Sequence, residues 1–255
     1  MKILCIGDVV SHDGIDYLFR VLPRLKQKYH PDCVIVNGEN SALGNGIDKI
    51  SYDMLISAGA DVITGGNHSF QKKTADELHD NAKRLIRPAN VLGFDAGEWE
   101  IVLDYGRETL RVINLSGSLF MSECENPFKF IEKALEKNQN CVTVIDFHAE
   151  ATSEKKAFGQ FVDGKVSAVF GTHTHVQTND AVILPKGTGY ITDVGMTGVE
   201  YSVLGKDSDV CIHNFRYPDK RQKIQDAKGK CKLNGVFFET DPATKKCIKI
   251  EIVNE

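Results

Sequence analysis

Residues 166–175 read Val-Ser-Ala-Val-Phe-Gly-Thr-His-Thr-His, and this stretch is the most informative part of the sequence. A short apolar run that ends in a glycine is typical of a strand buried on both faces, as in a parallel sheet. His173 and His175 follow the run directly, and two histidines at this spacing seldom serve packing. The stretch therefore predicts a buried strand that ends in a pair of candidate metal ligands.

The same arrangement recurs at other apolar runs along the chain. The runs at 3–7, 34–38, 62–66 and 142–147 are followed by Asp8, by Glu39 and Asn40, by Asn67 and His68, and by His148. In α/β sheets, ligands bind beyond the carboxyl ends of the strands. We therefore expect these strand ends to meet in one region.

The stretches between the runs predict an α/β fold. Apolar residues three and four apart between Gly14 and Tyr29 predict an amphipathic helix. Further helices are predicted over 51–57, 72–81, 127–137 and 152–161, and hairpins over 98–115 and 235–253. This alternation favours largely parallel strands, arranged as two facing sheets with helices outside. We expect a single domain that spans residues 1–255.

Composition limits the classes of protein to consider. Lys and Arg number 31 against 35 Asp and Glu, and the resulting net charge of −4 argues against an extended nucleic-acid face. The seven cysteines are odd in number and form no C-x-x-C pair, which indicates a reducing compartment. The chain opens on a strand rather than a signal segment, and no apolar run approaches the roughly 20 residues of a membrane span. We expect a soluble, cytoplasmic protein that makes no membrane contact.

The residues at the strand ends offer oxygen and imidazole donors. The candidate metal ligands are Asp8, Glu39, Asn40, Asn67, His148, His173 and His175. Such donors suit Mn, Fe, Zn, Ni or Co rather than a thiolate-loving ion. Taken singly, each could be a helix cap or a turn residue, but their recurrence at strand ends favours a metal site. Seven ligands exceed what one tetrahedral ion uses, so the set predicts two ions that share a carboxylate.

These motifs resemble a known protein family. The calcineurin-like metallophosphoesterases carry the same order of motifs, namely Gly7-Asp8, Gly38-Glu39-Asn40, Gly66-Asn67-His68, His148 and Gly171-Thr172-His173-Thr174-His175. From Met1 to about Gly205, the sequence is more closely similar to the bacterial YmdB-like branch, also described as 2′,3′-cyclic-nucleotide 2′-phosphodiesterases. Val10 stands where the broad superfamily has a ligating histidine, and Glu39 replaces the usual bridging aspartate. Both departures are normal in the YmdB-like branch, and the last fifty residues are less distinctive.

The resemblance implies a fold and a metal site. The fold is a four-layer α/β/β/α sandwich with a two-metal centre at one end. One divalent or trivalent ion, Fe or Mn, would be held by Asp8, Asn40 and His175, the other by Asn67, His148 and His173, and Glu39 would bridge them. His68 would be the acid beside the site. Self-association to a homo-oligomer is a further expectation.

The implied reaction is hydrolysis of a small phosphodiester, with 2′,3′-cyclic nucleotides converted to 3′-nucleotides by a hydroxide that bridges the two metals. A phosphomonoesterase or nucleotidase could use the same centre. A regulatory, RNA-associated protein with a structural metal site is another alternative. A Rossmann nucleotide-binding domain is disfavoured because no G-x-G-x-x-G follows the first strand.

Residues outside the motifs carry weaker expectations. Glu150 and Asp193 are candidates for orienting His148 or His173, although Glu150 equally suits the start of the following helix. The remaining histidines are expected at the surface; they are His12, His30, His79 and His213. Phe120 with Met121, and Trp99, are expected in core or hairpin packing.

Overall fold

A computed structural model describes residues 1–121, 123–136 and 140–255. The helices are α1 (Ser11–Tyr29), α2 (Lys49–Ala58), α3 (Ala75–Asn81), α4 (Pro127–Glu136), α5 (Thr152–Phe161) and α6 (Ser208–Arg216), with a 3-10 turn at Pro218–Lys220. The strands are β1 (Lys2–Ile6), β2 (Asp8–Val9), β3 (Cys33–Asn37), β4 (Val62–Thr64), β5 (Leu85–Ile86), β6 (Glu100–Asp104), β7 (Thr109–Ser116), β8 (Val142–His148), β9 (Ala168–Thr172), β10 (Val182–Ile183), β11 (Gly189–Ile191), β12 (Met196–Val199), β13 (Cys231–Thr240) and β14 (Cys247–Asn254).

The described strands form two sheets. The first has the order β2-β12-β13-β1-β3-β4-β5, and β14 also pairs with β13. Its strands β1, β3, β4 and β5 are parallel, whereas β13 runs antiparallel to β1, β12 and β14. The second has the order β10-β11-β9-β8-β7-β6, in which β7, β8, β9 and β11 are parallel. The α/β class is therefore confirmed.

The apolar runs are almost continuous because each central strand is buried on both faces. In β1, Ile3 and Cys5 belong to a cluster that also contains Val112, Val144 and Phe170 of the second sheet. The alternate residues of β1 belong to a different cluster, which includes Leu4 from the strand and apolar residues of α1, α2 and α3. A side-chain period of two thus sends successive residues to opposite buried faces.

A third cluster covers the other face of the second sheet. Phe147 of β8 stacks on Phe158 of α5 at a centroid distance of 4.1 Å, and Ile131 of α4 is buried beside them. Apolar residues of the helices thus pack on each sheet, and the two sheets share the cluster that contains Ile3 and Phe170.

Element ends differ from the sequence expectation for local reasons. Helix α2 begins at Lys49 because Asp48 and Ser51 form a reciprocal capping box ahead of it. Helix α3 begins only at Ala75, so the predicted start at residue 72 was wrong. Thr74, the residue before the helix, provides no side-chain cap. The predicted end of α4 at Lys137 lies outside the described residues. Helix α6, capped by the Asp207 side chain, was not predicted.

In the described parts of the chain, no helix has an apolar stretch that could cross a membrane.

Candidate metal centre

The carboxyl ends of parallel strands from both sheets deliver the candidate ligands to one region. Asp8 opens β2 directly after β1, Glu39 and Asn40 follow β3, and Asn67 follows β4. From the second sheet, His148 is the last residue of β8, and His173 and His175 follow β9. The structure therefore brings together all seven residues that the sequence singled out.

One group of donors surrounds Asp8. The donor atoms of Asp8, Glu39 and His175 lie within 4.8 Å of one another, and all three residues are buried. His175 Nε2 is 3.3 Å from Asp8 Oδ2 and 3.2 Å from Asn40 Nδ2. Asn40 Nδ2 in turn donates to Glu39 Oε1 at 2.7 Å. This group contains the residues expected to hold the first ion.

A second group lies on the other side of Glu39. The donor atoms of Glu39, His148 and His173 also lie within 4.8 Å of one another. His148 Nε2 and His173 Nδ1 are 3.1 Å apart, and Asn67 Oδ1 is 2.9 Å from the first and 3.1 Å from the second. Glu39 Oε2 is 3.4 Å from His148 Nε2. Glu39 is thus common to both groups, as a bridging ligand requires.

The buried donor atoms fit a pair of cations. Asp8 Oδ1 is buried and has no hydrogen-bond partner among the described residues. Buried acceptors left without donors are costly, and a metal ion would satisfy them. Gly66 leaves room beside them, because a Cβ there would lie 2.2 Å from Glu39 Oε2 and 2.5 Å from His148 Nε2. Oxygen and imidazole donors are those that first-row divalent metals bind.

Burial and mutual charge shift the pKa values within the site. Burial, followed by the charge of Asp8, raises the pKa of Glu39 to about 8. Burial lowers the pKa of His148 and of His173, which keeps both rings in the neutral form that binds metal. Burial opposes ionisation of both Asp8 and His175 and is the largest single cause, but their hydrogen bond and mutual charge attraction together with nearby charges outweigh it, lowering the Asp8 pKa and raising that of His175.

The backbone that presents the two histidines is itself strained. His173 has φ of 98° and His175 has φ of 62°, in the region that favours glycine. Such conformations cost about 1–3 kcal/mol each and persist where the surrounding structure imposes them, often at functional sites. Asp193 provides part of that constraint, since its carboxylate accepts from Thr174 N at 3.1 Å and Thr174 Oγ1 at 2.7 Å.

A series of buried hydrogen bonds holds the His148 ring through Nδ1, the ring nitrogen that faces away from the site. His148 Nδ1 is 2.8 Å from Thr172 Oγ1, which donates to Asp146 Oδ1 at 2.7 Å. Asp146 Oδ2 also accepts from Asn37 Nδ2 at 3.0 Å and from Thr64 Oγ1. Because Thr172 uses its proton on Asp146, it accepts from His148 Nδ1–H, and the Nε2 lone pair faces the site. Sequence reasoning missed these hydrogen bonds, although an aspartate inside the apolar run of β8 was a visible signal.

The two residues expected to orient histidines behave differently. Glu150 Oε2 is 3.0 Å from His173 Nε2, so this carboxylate does contact a candidate ligand. Asp193 instead accepts from Lys155 Nζ at 2.7 Å, from Thr174 and from Gly195, and it acts on the loop between the two histidines. Among the described residues its carboxylate has no hydrogen bond to a histidine ring, so the structure does not favour Asp193 as the candidate that orients one. Lys155 is buried and also donates to the Thr172 carbonyl at 2.7 Å.

His68 lies beside the two groups. Its backbone N–H donates to Glu39 Oε2 at 2.9 Å, and its Nδ1 contacts Gln71 Nε2. Burial lowers its pKa, so the ring is neutral near pH 7. Gln71 was not singled out from the sequence.

A cavity of about 530 Å³ opens over the site. Glu39, Asn40, His68, His173 and His175 belong to its lining. Most of the other lining residues come from positions 203–224, among them Leu204, Lys206, Phe215 and Arg221, none of which the sequence indicated. A cavity of this size is typical of small-molecule sites.

Two expectations for residues outside the site were wrong. His79 is buried, 2% exposed, and stacks on Phe70 at 4.7 Å, because the helix α3 face on which it lies packs inward. Phe120 is 88% exposed and has φ of 62°, so the turn presents its ring to solvent rather than to a core. Trp99 does pack, edge-on to Phe130 at 5.4 Å.

Comparisons with known proteins identify the family. The model of the family described as YmdB-like protein matches residues 4–253. A 2′,3′-cyclic-nucleotide 2′-phosphodiesterase of Bacillus subtilis (strain 168) is 45% identical over 253 residues, covering 98% of this chain and 96% of that protein. A crystal structure of a novel phosphatase from Mycoplasma pneumoniae superposes with a TM-score of 0.95 at 38% identity, covering 100% of this chain and 93% of the other.

More distant similarity concerns the fold alone. A putative 5′-nucleotidase from Staphylococcus aureus superposes with a TM-score of 0.58 at 15% identity, covering 99% of this chain and 54% of the other. The match to the family model over nearly the whole chain, together with the identity to the Bacillus protein, confirms the resemblance seen in the motifs. The chain belongs to the YmdB-like family and has a mixed α/β fold.

Proposed function

We propose that this chain is a metal-dependent phosphodiesterase that hydrolyses small phosphodiesters, with 2′,3′-cyclic nucleotides converted to 3′-nucleotides as the favoured reaction. The observation that carries the proposal is the pair of largely buried donor groups that share Glu39 and contribute residues to the lining of a cavity of about 530 Å³. The name of the similar Bacillus protein supports the choice of substrate.

The proposed ligands divide as the family resemblance implies. Asp8, Asn40 and His175 would hold one ion, Asn67, His148 and His173 the other, and Glu39 would bridge them. When bound, two ions stabilise charge on phosphoryl oxygens and lower the pKa of a water molecule. Both Fe and Mn suit the oxygen and imidazole donors.

His68 would act on the leaving oxygen. Its ring lines the cavity, and with Nδ1 occupied by Gln71, Nε2 is the ring atom that remains for the substrate. A neutral imidazole with Nε2 protonated can donate to the oxygen on which charge develops. Removal of one such hydrogen-bond donor to developing charge typically costs about 10²–10³-fold in kcat.

The larger-scale expectations belong to the same proposal. The packing of helices on both sheets supports a four-layer α/β/β/α sandwich, and we take residues 1–255 as one metallophosphoesterase domain. The free cysteines support a reducing, cytoplasmic location. The net charge of −4 supports a small substrate rather than an extended nucleic-acid face. Self-association is retained from the family resemblance.

The test is product analysis with metal-loaded protein. Incubation with 2′,3′-cyclic AMP should yield 3′-AMP, separable from 2′-AMP by chromatography, and bis-p-nitrophenyl phosphate should turn over faster than the monoester. A faster monoester would favour a phosphomonoesterase. Inertness of metal-loaded protein toward all three compounds would refute the enzyme proposal and favour a regulatory role.

A further inference from the structure

Part of the cavity wall is built by a segment that the family motifs do not include. Helix α6 and the chain after it contribute Asn214, Phe215, Arg221, Gln222 and Ile224 to the lining. Four of the candidate metal ligands, Glu39, Asn40, His173 and His175, line the same cavity. A ligand with its phosphodiester at these residues therefore shares the cavity with the segment around Arg221.

Hydrogen bonds fix the backbone on each side of Arg221 against α6. Asn214 Nδ2 donates to the Gln222 carbonyl at 2.9 Å, and Gln222 N–H donates to Asn214 Oδ1 at 2.7 Å. On the preceding side, His213 Nε2 donates to the Lys220 carbonyl at 3.0 Å. Arg221 is thus presented from a backbone that α6 holds in place on both sides.

The charge of Arg221 is not neutralised by an ion pair. The cavity wall carries Lys206 and Arg221, and Lys206 Nζ already donates to Asp226 Oδ1 at 2.6 Å and to Asn45 Oδ1. Arg221 has no carboxylate within ion-pair distance among the residues that the structure describes. Its planar guanidinium matches a phosphate by two parallel hydrogen bonds.

The surrounding segment strengthens the attraction for an anion. Positions 216–223 carry Arg216, Lys220, Arg221 and Lys223 against a single carboxylate, Asp219, in a chain whose net charge is −4. Clustered charge of one sign at the mouth of a cavity raises the local concentration of ligands of the opposite sign. Phe215, 82% exposed, lines the same wall and offers an aromatic face of the kind on which bases stack.

We infer that Arg221 binds a second phosphate on the 5′ side of the nucleoside whose 2′,3′-cyclic phosphate lies at the metal centre, with Phe215 against the base. This inference rests on the proposed function. A 5′-phosphate on a mononucleotide and the 5′ linkage of an oligonucleotide ending in a 2′,3′-cyclic phosphate share this chemistry.

Steady-state kinetics on three substrates tests the inference. They are adenosine 2′,3′-cyclic phosphate, the same compound with a 5′-phosphate, and the dinucleotide ApA with a terminal 2′,3′-cyclic phosphate. Wild type should show a lower KM for at least one of the two that carry the second phosphate, and Arg221→Gln should abolish this preference. A charged hydrogen bond of this type corresponds to about a tenfold change in KM. Which of the two is preferred identifies the source of the phosphate.

Arg216→Gln is the matched control. Arg216 is an exposed arginine on α6 that does not line the cavity, and its guanidinium lies over the Tyr217 ring at 5.3 Å. This variant removes the same charge from the same segment and should retain the wild-type preference. Melting temperatures of both variants check that the fold is intact.

The outcomes separate the inference from the proposed function. If wild type hydrolyses the simple cyclic nucleotide but shows no preference for the second phosphate, or if Arg221→Gln keeps the preference, the inference is wrong and the phosphodiesterase proposal stands. If wild type hydrolyses none of the three, the proposed function fails and the inference fails with it.

Discussion

Thr172 and His68 are the residues at which single hydrogen bonds have the clearest consequences. Thr172 forms hydrogen bonds with both the buried Asp146 and His148 and so links the two side chains. His68 lines the cavity, and Gln71 contacts its Nδ1, which leaves Nε2 for the substrate. Neither side chain is a proposed metal ligand. Both therefore allow the chemistry to be perturbed while the proposed ligand set stays complete.

We expect Thr172→Val to weaken metal binding or turnover by about 10–100-fold, the usual cost of removing a hydrogen-bond partner of a ligating histidine. Valine keeps the shape of threonine but neither accepts from His148 Nδ1 nor donates to Asp146. Metal content after dialysis and the rate on bis-p-nitrophenyl phosphate measure the effect. Thr143→Val is the control, because Thr143 is a buried threonine near the start of β8, the strand that ends at His148. Equal behaviour of the two variants would refute the role of Thr172.

His68→Ala should slow hydrolysis more for a poor leaving group than for a good one. The loss should approach about 10²–10³-fold with 2′,3′-cyclic AMP, because its poorly leaving alkoxide develops charge that a hydrogen bond from His68 Nε2 would stabilise. With bis-p-nitrophenyl phosphate the loss should be much smaller, since nitrophenolate leaves without protonation. Parallel turnover numbers for both substrates decide the matter. Near-wild-type turnover of the cyclic nucleotide would show that His68 is not the acid.

At the scale of elements, helix α5 is tied to the end of β9 by Lys155. Its Nζ donates to the Thr172 carbonyl and to Asp193 Oδ2, both at 2.7 Å, and both members of the ion pair are buried. Asp193 also holds Thr174, which lies between the two histidines. The helix thereby supports the strained loop that carries His173 and His175.

Lys155→Met should lower the free energy of unfolding by about 3–5 kcal/mol, because it leaves Asp193 buried without its ion-pair partner. Lys156→Met provides a close control. Lys156 is the next residue of the same helix and also forms an ion pair, with Asp180, but its side chain is half exposed. Removing such an exposed pair should cost no more than about 1 kcal/mol. Urea unfolding of both variants measures the difference, and similar losses would contradict the account.

The sequence predicted the elements that local patterns determine. The strand ends with Asp8, Glu39 and His173 were found because a buried strand reads as an apolar run and its polar end interrupts that run. The pairing of β13 with β1 was not predicted, because it joins residues more than two hundred positions apart, such as Ile6 and Gly235. Arg221 and Phe215 were missed for a similar reason. Nothing local marks a basic loop as one wall of a cavity; only the tertiary fold places it there.

At the scale of the whole molecule, the two sheets jointly build a site that concentrates buried titratable groups. The pKa of Glu39 is raised to about 8 and that of Asp146 to about 7. Without a bound cation, the folded protein therefore keeps protons on these two carboxyls at pH values where the unfolded chain has lost them. Metal binding requires the ionised carboxylate and so opposes this protonation. Stability, pH and metal content are therefore linked.

We expect metal-free protein to lose stability as pH rises from about 7.5 to 8.5, above the usual histidine pKa of about 6.5. In this window the unfolded chain has ionised carboxyls and neutral histidines, whereas the folded chain still holds a proton on Glu39 and part of those on Asp146 and His175, whose pKa values are raised. The folded state binds more protons, so its stability falls with pH. Histidines with lowered pKa values are neutral in both states here and do not contribute.

Melting temperatures in chelator across this window measure the effect. Glu39→Gln, which cannot hold the proton, should show a shallower fall without metal, and wild type with excess metal should not show the fall. Identical slopes for metal-free and metal-loaded wild type would contradict the linkage.

The most direct test of the central claim is hydrolysis of 2′,3′-cyclic AMP by wild type and by Glu39→Gln, each with its metal content determined. Glu39 is common to both donor groups, so its loss should remove metal and turnover together while the protein stays folded. We predict 3′-AMP from metal-loaded wild type and none from a folded, metal-depleted variant. Wild-type turnover and metal content in Glu39→Gln would contradict a centre bridged by this carboxylate.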